Sequence, residues 1–148
     1  MSAVHDPGLR VVARVRAVRE RDSRLGLVAA LAEEVAARSR VSDLEQQLST
    51  VAIHEAGPLS AFAARQRAVT AVSQALGAAR DTWDNARLVA MAARDRWHAD
   101  RTRLAAVESL LERRASARLV ERQRREGREL DAVAEELWRR GRSKEHSA

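Results

Sequence analysis

The sequence predicts an all-α protein: two long helices folded back as an antiparallel coiled-coil hairpin, with the second helix overhanging the first. Three observations carry that prediction. The first is a seam. Every seventh residue from 62 reads Phe62, Val69, Leu76, Trp83, Ala90, Trp97, Leu104, Leu111, and Val72, Ala79, Ala86, Ala93 and Val107 stand three residues after their knobs. Apolar side chains at alternating steps of three and four form one narrow stripe on a helix. The second is punctuation: Ala56-Gly57-Pro58 is the one strong break in the chain. The third is composition, with 32% charged and 3% aromatic residues, no tyrosine and a single phenylalanine. That is a long-helix composition, with too few large side chains for a broad globular core.

The chain of 148 residues reads as one domain, with a helix over about 7–55, a turn at 56–59, a helix over about 59–140 and a disordered tail at 141–148. Asp6-Pro7 suits a helix start, the acid capping free N–H groups and the proline taking the first helical position. Helix one carries its apolar residues at Val11, Val15, Val18, Leu25, Val28, Leu31, Val35, Val41, Leu44, Leu48 and Val51, with a slip of phase near Arg38 to Arg40. Gly26 weakens it by about 1 kcal/mol relative to alanine. Gly57 can end this helix and Pro58 begin the next, with Ser60 as a second cap. So short a break turns the chain back on itself. The expected register sets Leu25 near Ala90, Val18 near Trp97 and Val51 near Phe62, with Glu34 facing Arg80 and Glu20 facing Arg94. Helix one then runs out near residue 105, and the polar stretch beyond it is expected to stand as a single helix that orders on a partner.

Chemistry is sparse. There is no cysteine, so disulfides and thiolate sites are excluded. His5, His54, His98 and His146 are scattered, and the six glycines are isolated, so no metal-ligand spacing or phosphate loop is formed. No enzymatic activity and no cofactor are expected. The start of the chain lacks a hydrophobic signal segment and no apolar run approaches a membrane span, which predicts a cytoplasmic protein. The net charge of +6 comes almost wholly from arginine, Lys144 being the one lysine. Such a charge suits nucleic acid, an acidic lipid surface or an acidic protein. The arginine row at 80, 87, 94 and 101 has acids interspersed and no aromatic platform, so it is read as a solvated flank, and no specific nucleic acid is expected.

From Trp97 onward the sequence resembles the flagellar export protein FliJ family. The resemblance rests on WHADRTRLAAVESLLERR followed by ERQRREGRELDAVAE, in particular Trp97, Arg101, Arg103, Leu104, Leu111, Glu112, Arg113, Glu121, Arg125, Glu126, Leu130, Asp131 and Ala134. Length, two-helix layout and turn position extend it over nearly the whole chain. Ala132 and Gly127 depart from the family pattern.

The resemblance implies a non-catalytic stalk-like component of the flagellar type III protein export apparatus. It would sit in the ring of the export ATPase (FliI), promote assembly of that ring, contact the export gate protein FlhA and meet export chaperones. Its place would be peripheral to the inner face of the cell membrane, through the complex. Arg113, Arg114, Arg118, Arg122 and Arg125 are the expected ring-facing residues, alongside Arg10, Arg14, Arg16 and Arg19 of helix one. Val72, Leu76 and Ala79, lying opposite the phase slip, are the expected gate-facing patch. Phe62, Val69, Trp83, Trp97, Leu104 and Leu111 are assigned to the seam, and Trp138 to protein binding or to local packing on Ala134. The alternatives are the virulence type III secretion counterpart and a basic nucleic-acid-associated coiled coil.

Overall fold

The computed structural model describes residues 6–53 and 58–145, and all but the residues leading into each helix are α-helical. α1 spans Pro7–Ile53 and α2 spans Leu59–Glu145. The two helices pack against each other, and there is no strand among the described residues. Ala56 and Gly57, on which the turn was expected, lie outside the described residues. Pro58 stands just ahead of α2, and its carbonyl accepts the N–H groups of Ala61 at 2.9 Å and Phe62 at 3.2 Å. α2 runs five residues past the expected end at Arg140. Gly141 has no positive φ, so it continues the helix instead of terminating it.

Chain contacts divide the protein into two compact units, Arg14–Leu104 and Met1–Ala13 with Ala105–Ala148, where the sequence alone suggests one domain.

In the unit Arg14–Leu104 the helices pair antiparallel. Val41 and Leu44 of α1 are buried with Leu76 of α2, and Leu48, Val72, Ala79 and Trp83 pack around them. Arg80 pairs with Glu45 at 2.8 Å, and the Trp97 indole N–H donates to Glu20 at 2.9 Å. The register therefore differs from the expected one. Arg80 meets Glu45, eleven residues along from Glu34, and Trp97 meets Glu20 where Val18 was expected.

The reason lies in the phase of α1. Its sheltered positions recur at unbroken steps of three and four from Asp6 to Val51, passing through Glu20, Ser23, Leu27, Ala30, Glu34 and Ala37. There is no slip near Arg38. Val15, Val18, Leu25, Val28 and Val35, expected in the seam, are all exposed. On α2 the expected phase is the observed one: the sheltered positions step by three and four from Val69 to Leu111 without a gap. Phe62 is the exception at 58% exposure.

In the other unit Asp6, just ahead of α1, Leu9 of α1, and Val107, Leu111 and Arg118 of α2 are half-buried. Pairing there reaches Arg118, beyond the limit expected near residue 105. From Leu119 to Arg142 every residue but Gly127 and Glu136 is exposed.

These contacts separate two kinds of leucine. Leu44→Ala empties a closed position and should cost about 2–5 kcal/mol, whereas Leu25→Ala should change stability by less than about 0.5 kcal/mol. Urea unfolding followed by circular dichroism measures both; equal losses would contradict the observed seam.

Candidate partner-binding site

Of the five arginines expected to face a partner, two are already engaged. Arg114 and Arg118 lie one helical turn apart on α2 and both reach the carboxylate of Asp6, at 2.8 and 2.6 Å. The local backbone sets this up. Proline at position 7 disfavours the α conformation for the residue before it, and Asp6 takes a left-handed φ of 58°, which aspartate tolerates better than most residues. In that conformation its carbonyl accepts the N–H of Arg10 at 3.1 Å and starts α1. Its carboxylate crosses to α2 instead of capping its own helix, as the sequence suggested it would.

Arg113, Arg122 and Arg125 are different. All are exposed. Arg113 bonds only to the Ser109 carbonyl of its own helix, at 3.4 Å, and Arg122 and Arg125 make no ion pair or hydrogen bond among the described residues. Further along, Arg128 pairs with Glu121 at 3.0 Å, and Arg139 and Arg140 pair with Glu135 and Glu136. Arg124, beside them, is likewise exposed and unpaired, so the stretch holds three guanidiniums with no partner among the described residues, Arg122, Arg124 and Arg125, and a fourth, Arg113, bonded only within its own helix. A planar, always-charged fork of donors suits carboxylates on another protein.

The patch expected to face a gate is placed inside the helix pair. Leu76 is 6% exposed and packed on Val41 and Leu44, and Val72 and Ala79 are half-buried beside it. Because α1 keeps its phase, Val41 and Leu44 cover Leu76. Trp83 and Trp97 are half-buried in the seam. Trp97 stands beside His98, with ring centroids 4.9 Å apart, and Arg87 lies 5.6 Å over the Trp83 ring. The Trp83 N–H is buried without a hydrogen-bond partner among the described residues. Trp138 is 62% exposed, and Arg142 lies 4.5 Å over its ring.

Sequence reasoning missed a polar section of the seam. Glu20, Ser23 and Asp100 are each 7% exposed. Ser23 donates to the carbonyls of Arg19 and Glu20, and Asp100 accepts from Arg103 at 3.2 Å. The signal was present as a spacing, since Asp100 fills the one gap between Val72 and Val107 in the row that stands three residues after the knobs.

With this geometry in place, the profile of the family described as "Flagellar FliJ protein" matches residues 5–143. The chain belongs to the flagellar FliJ family. No curated protein and no solved structure matches it. Membership places it among components of flagellar protein export. None of the helices among the described residues is long and apolar enough to cross a membrane.

The Asp6 contact has a pH consequence. Hydrogen bonds from Arg118, then from Arg114, hold the Asp6 carboxyl below its ordinary value of 3.8, against a smaller opposing effect of burial. A carboxyl lowered by folding stabilises the fold above that ordinary value, and the contribution fades as pH falls through the lowered one. Titration of the Asp6 side chain by carbon NMR should therefore give a midpoint below 3.8, and Arg114→Ala with Arg118→Ala should return it to the ordinary range. An unshifted midpoint in the parent chain would contradict the contact.

Proposed function

We propose that this family member is a non-catalytic, stalk-like component of the flagellar export apparatus that promotes assembly of the export ATPase ring. The observation carrying the proposal is that Arg113, Arg122 and Arg125, with Arg124 beside them, are held by no carboxylate, whereas Arg114, Arg118, Arg128, Arg139 and Arg140 on the same helix are held by Asp6, Glu121, Glu135 and Glu136. A surface of this kind offers donors without first breaking an internal ion pair. Acidic residues lining a ring of subunits supply the matching acceptors. Binding to the assembled ring and not to its separate subunits shifts the equilibrium towards the ring by mass action, and turnover rises with it. Arg114 and Arg118 belong to the same proposed surface but act first on Asp6.

The link to the export gate and to export chaperones is part of this reading, as is a position peripheral to the inner face of the membrane through the complex. Val72, Leu76 and Ala79 fit a gate contact only along the edge of the closed seam, where Val72 and Ala79 keep partial exposure. Residues 119–142, exposed for nearly their whole length, are better suited to meeting another protein.

Turnover and ring formation of the cognate export ATPase, measured with and without this protein, test the proposal. Both should rise on addition. Changing Arg113, Arg122 and Arg125 to glutamate should weaken the effect by tenfold or more in the concentration required, about 1.4 kcal/mol for each tenfold. Added salt should weaken it in the parent chain too, since exposed charges are screened. Equal stimulation by the parent and the triple variant would overturn the arginine assignment, and no stimulation by either would overturn the stalk reading.

A further inference from the structure

Within the unit Arg14–Leu104, α1 carries a second apolar stripe that the helix pair does not use. Val15, Val18, Leu25, Val28 and Val35 are between 48% and 68% exposed. Val15, Val18 and Leu25 lie two residues away from seam positions, and two residues turn an α-helix by roughly 200°. They therefore face away from α2. With the exposed Asp22, Ala29, Ala32 and Ala36 the stripe recurs every three or four residues, which is the spacing of a coiled-coil seam and not of a random scatter of valines. α1 is thus two-faced, with its more polar seam on the inside and its more apolar one on the outside.

The edges of the stripe are basic. Arg14 and Arg21 border one side, Arg19 and Arg40 the other, against the acids Asp22 and Glu33. None of these four arginine side chains makes an ion pair or hydrogen bond among the described residues. Elsewhere in the same unit Arg80 and Arg103 are satisfied by Glu45 and Asp100. An apolar row at helical spacing with unpaired arginines on both edges is complementary to one kind of ligand. We propose that this face of α1 binds an acidic amphipathic helix of another protein, which supplies apolar residues at the same spacing and carboxylates on both flanks.

Two other occupants fit less well. A second copy of this chain brings the same excess of arginine, so like charges would flank the new seam. A lipid surface calls for large aromatic and leucine side chains along the apolar face, whereas this stripe is mostly valine and alanine with Asp22 at its centre. The proposal is independent of the ATPase-ring reading, which uses arginines of α2.

A synthetic helix with leucine and alanine at three-four spacing and glutamate on both flanks is the probe, with a lysine-flanked twin as control. Fluorescence anisotropy against the full chain should show the glutamate peptide binding at least tenfold more tightly than its twin. Val18→Asp with Leu25→Asp should abolish binding while leaving helicity and the melting temperature unchanged, because both side chains face outward. Arg14→Glu with Arg21→Glu should reverse the preference between the two peptides. The proposal is overturned by equal affinity for both peptides or by binding that survives the double aspartate variant. It is overturned equally by sedimentation showing that Leu25→Asp converts a dimer to a monomer, or by flotation on anionic vesicles that the same change abolishes.

Discussion

An indole N–H bonded to a buried carboxylate, Trp97 to Glu20, is the constraint on which the long unit depends. Most of the seam around it is alanine, valine and leucine, which pack against one another in several registers with small differences in energy. A carboxylate inside such a seam does not share that tolerance. Sliding α1 by one heptad would set Glu20 near Ala90 or Leu104, leaving a buried polar group unsatisfied at about 1–3 kcal/mol. Buried polar residues in coiled coils commonly trade stability for register in this way. Once Glu20 is opposite Trp97, the other pairings follow: Val41 and Leu44 close on Leu76, and Glu45 comes to Arg80.

That trade also explains which parts of the structure could be read in the sequence. On α2 hydrophobicity and phase agree, so Val69, Trp83, Trp97, Leu104 and Leu111 could be placed before any coordinates. On α1 they disagree. Hydrophobicity follows Val15, Val18, Leu25 and Val35, whereas the seven-residue step taken back from Val41 and Leu48 arrives at Glu34, Leu27, Glu20 and Ala13. Reading the valines as seam required a phase slip near Arg38, and a coiled coil changes phase only at the cost of local unwinding. The helix keeps phase and tolerates glutamates inside. The arginine row of α2 was visible in the sequence as a charge run. Its division into engaged and open members was not, because that depends on Asp6, more than a hundred residues away.

The two units put arginine to different uses. In one, Asp6 bonds both Arg114 and Arg118 and holds the start of α1 against α2, while Arg113, Arg122 and Arg125 have no carboxylate partner among the described residues. In the other, arginines on the outer edges of α1 border valines that have no counterpart within the helix pair. A protein built from two helices has little interior, and its specificity resides on its outer faces. Charge left unpaired beside apolar side chains marks those faces more sharply than exposure alone.

The register is the claim most directly open to measurement, and the chain contains no cysteine to interfere. Two double-cysteine variants, at Glu45 with Arg80 and at Glu34 with Arg80, are treated with a short thiol-reactive cross-linker. The two α1 positions lie about 16 Å apart along the helix at 1.5 Å per residue, so one linker cannot serve both. Rapid intramolecular cross-linking of the Glu45 variant alone is the predicted result. Cross-linking of the Glu34 variant alone would show that α1 follows its valines after all, and the polar seam would lose its role.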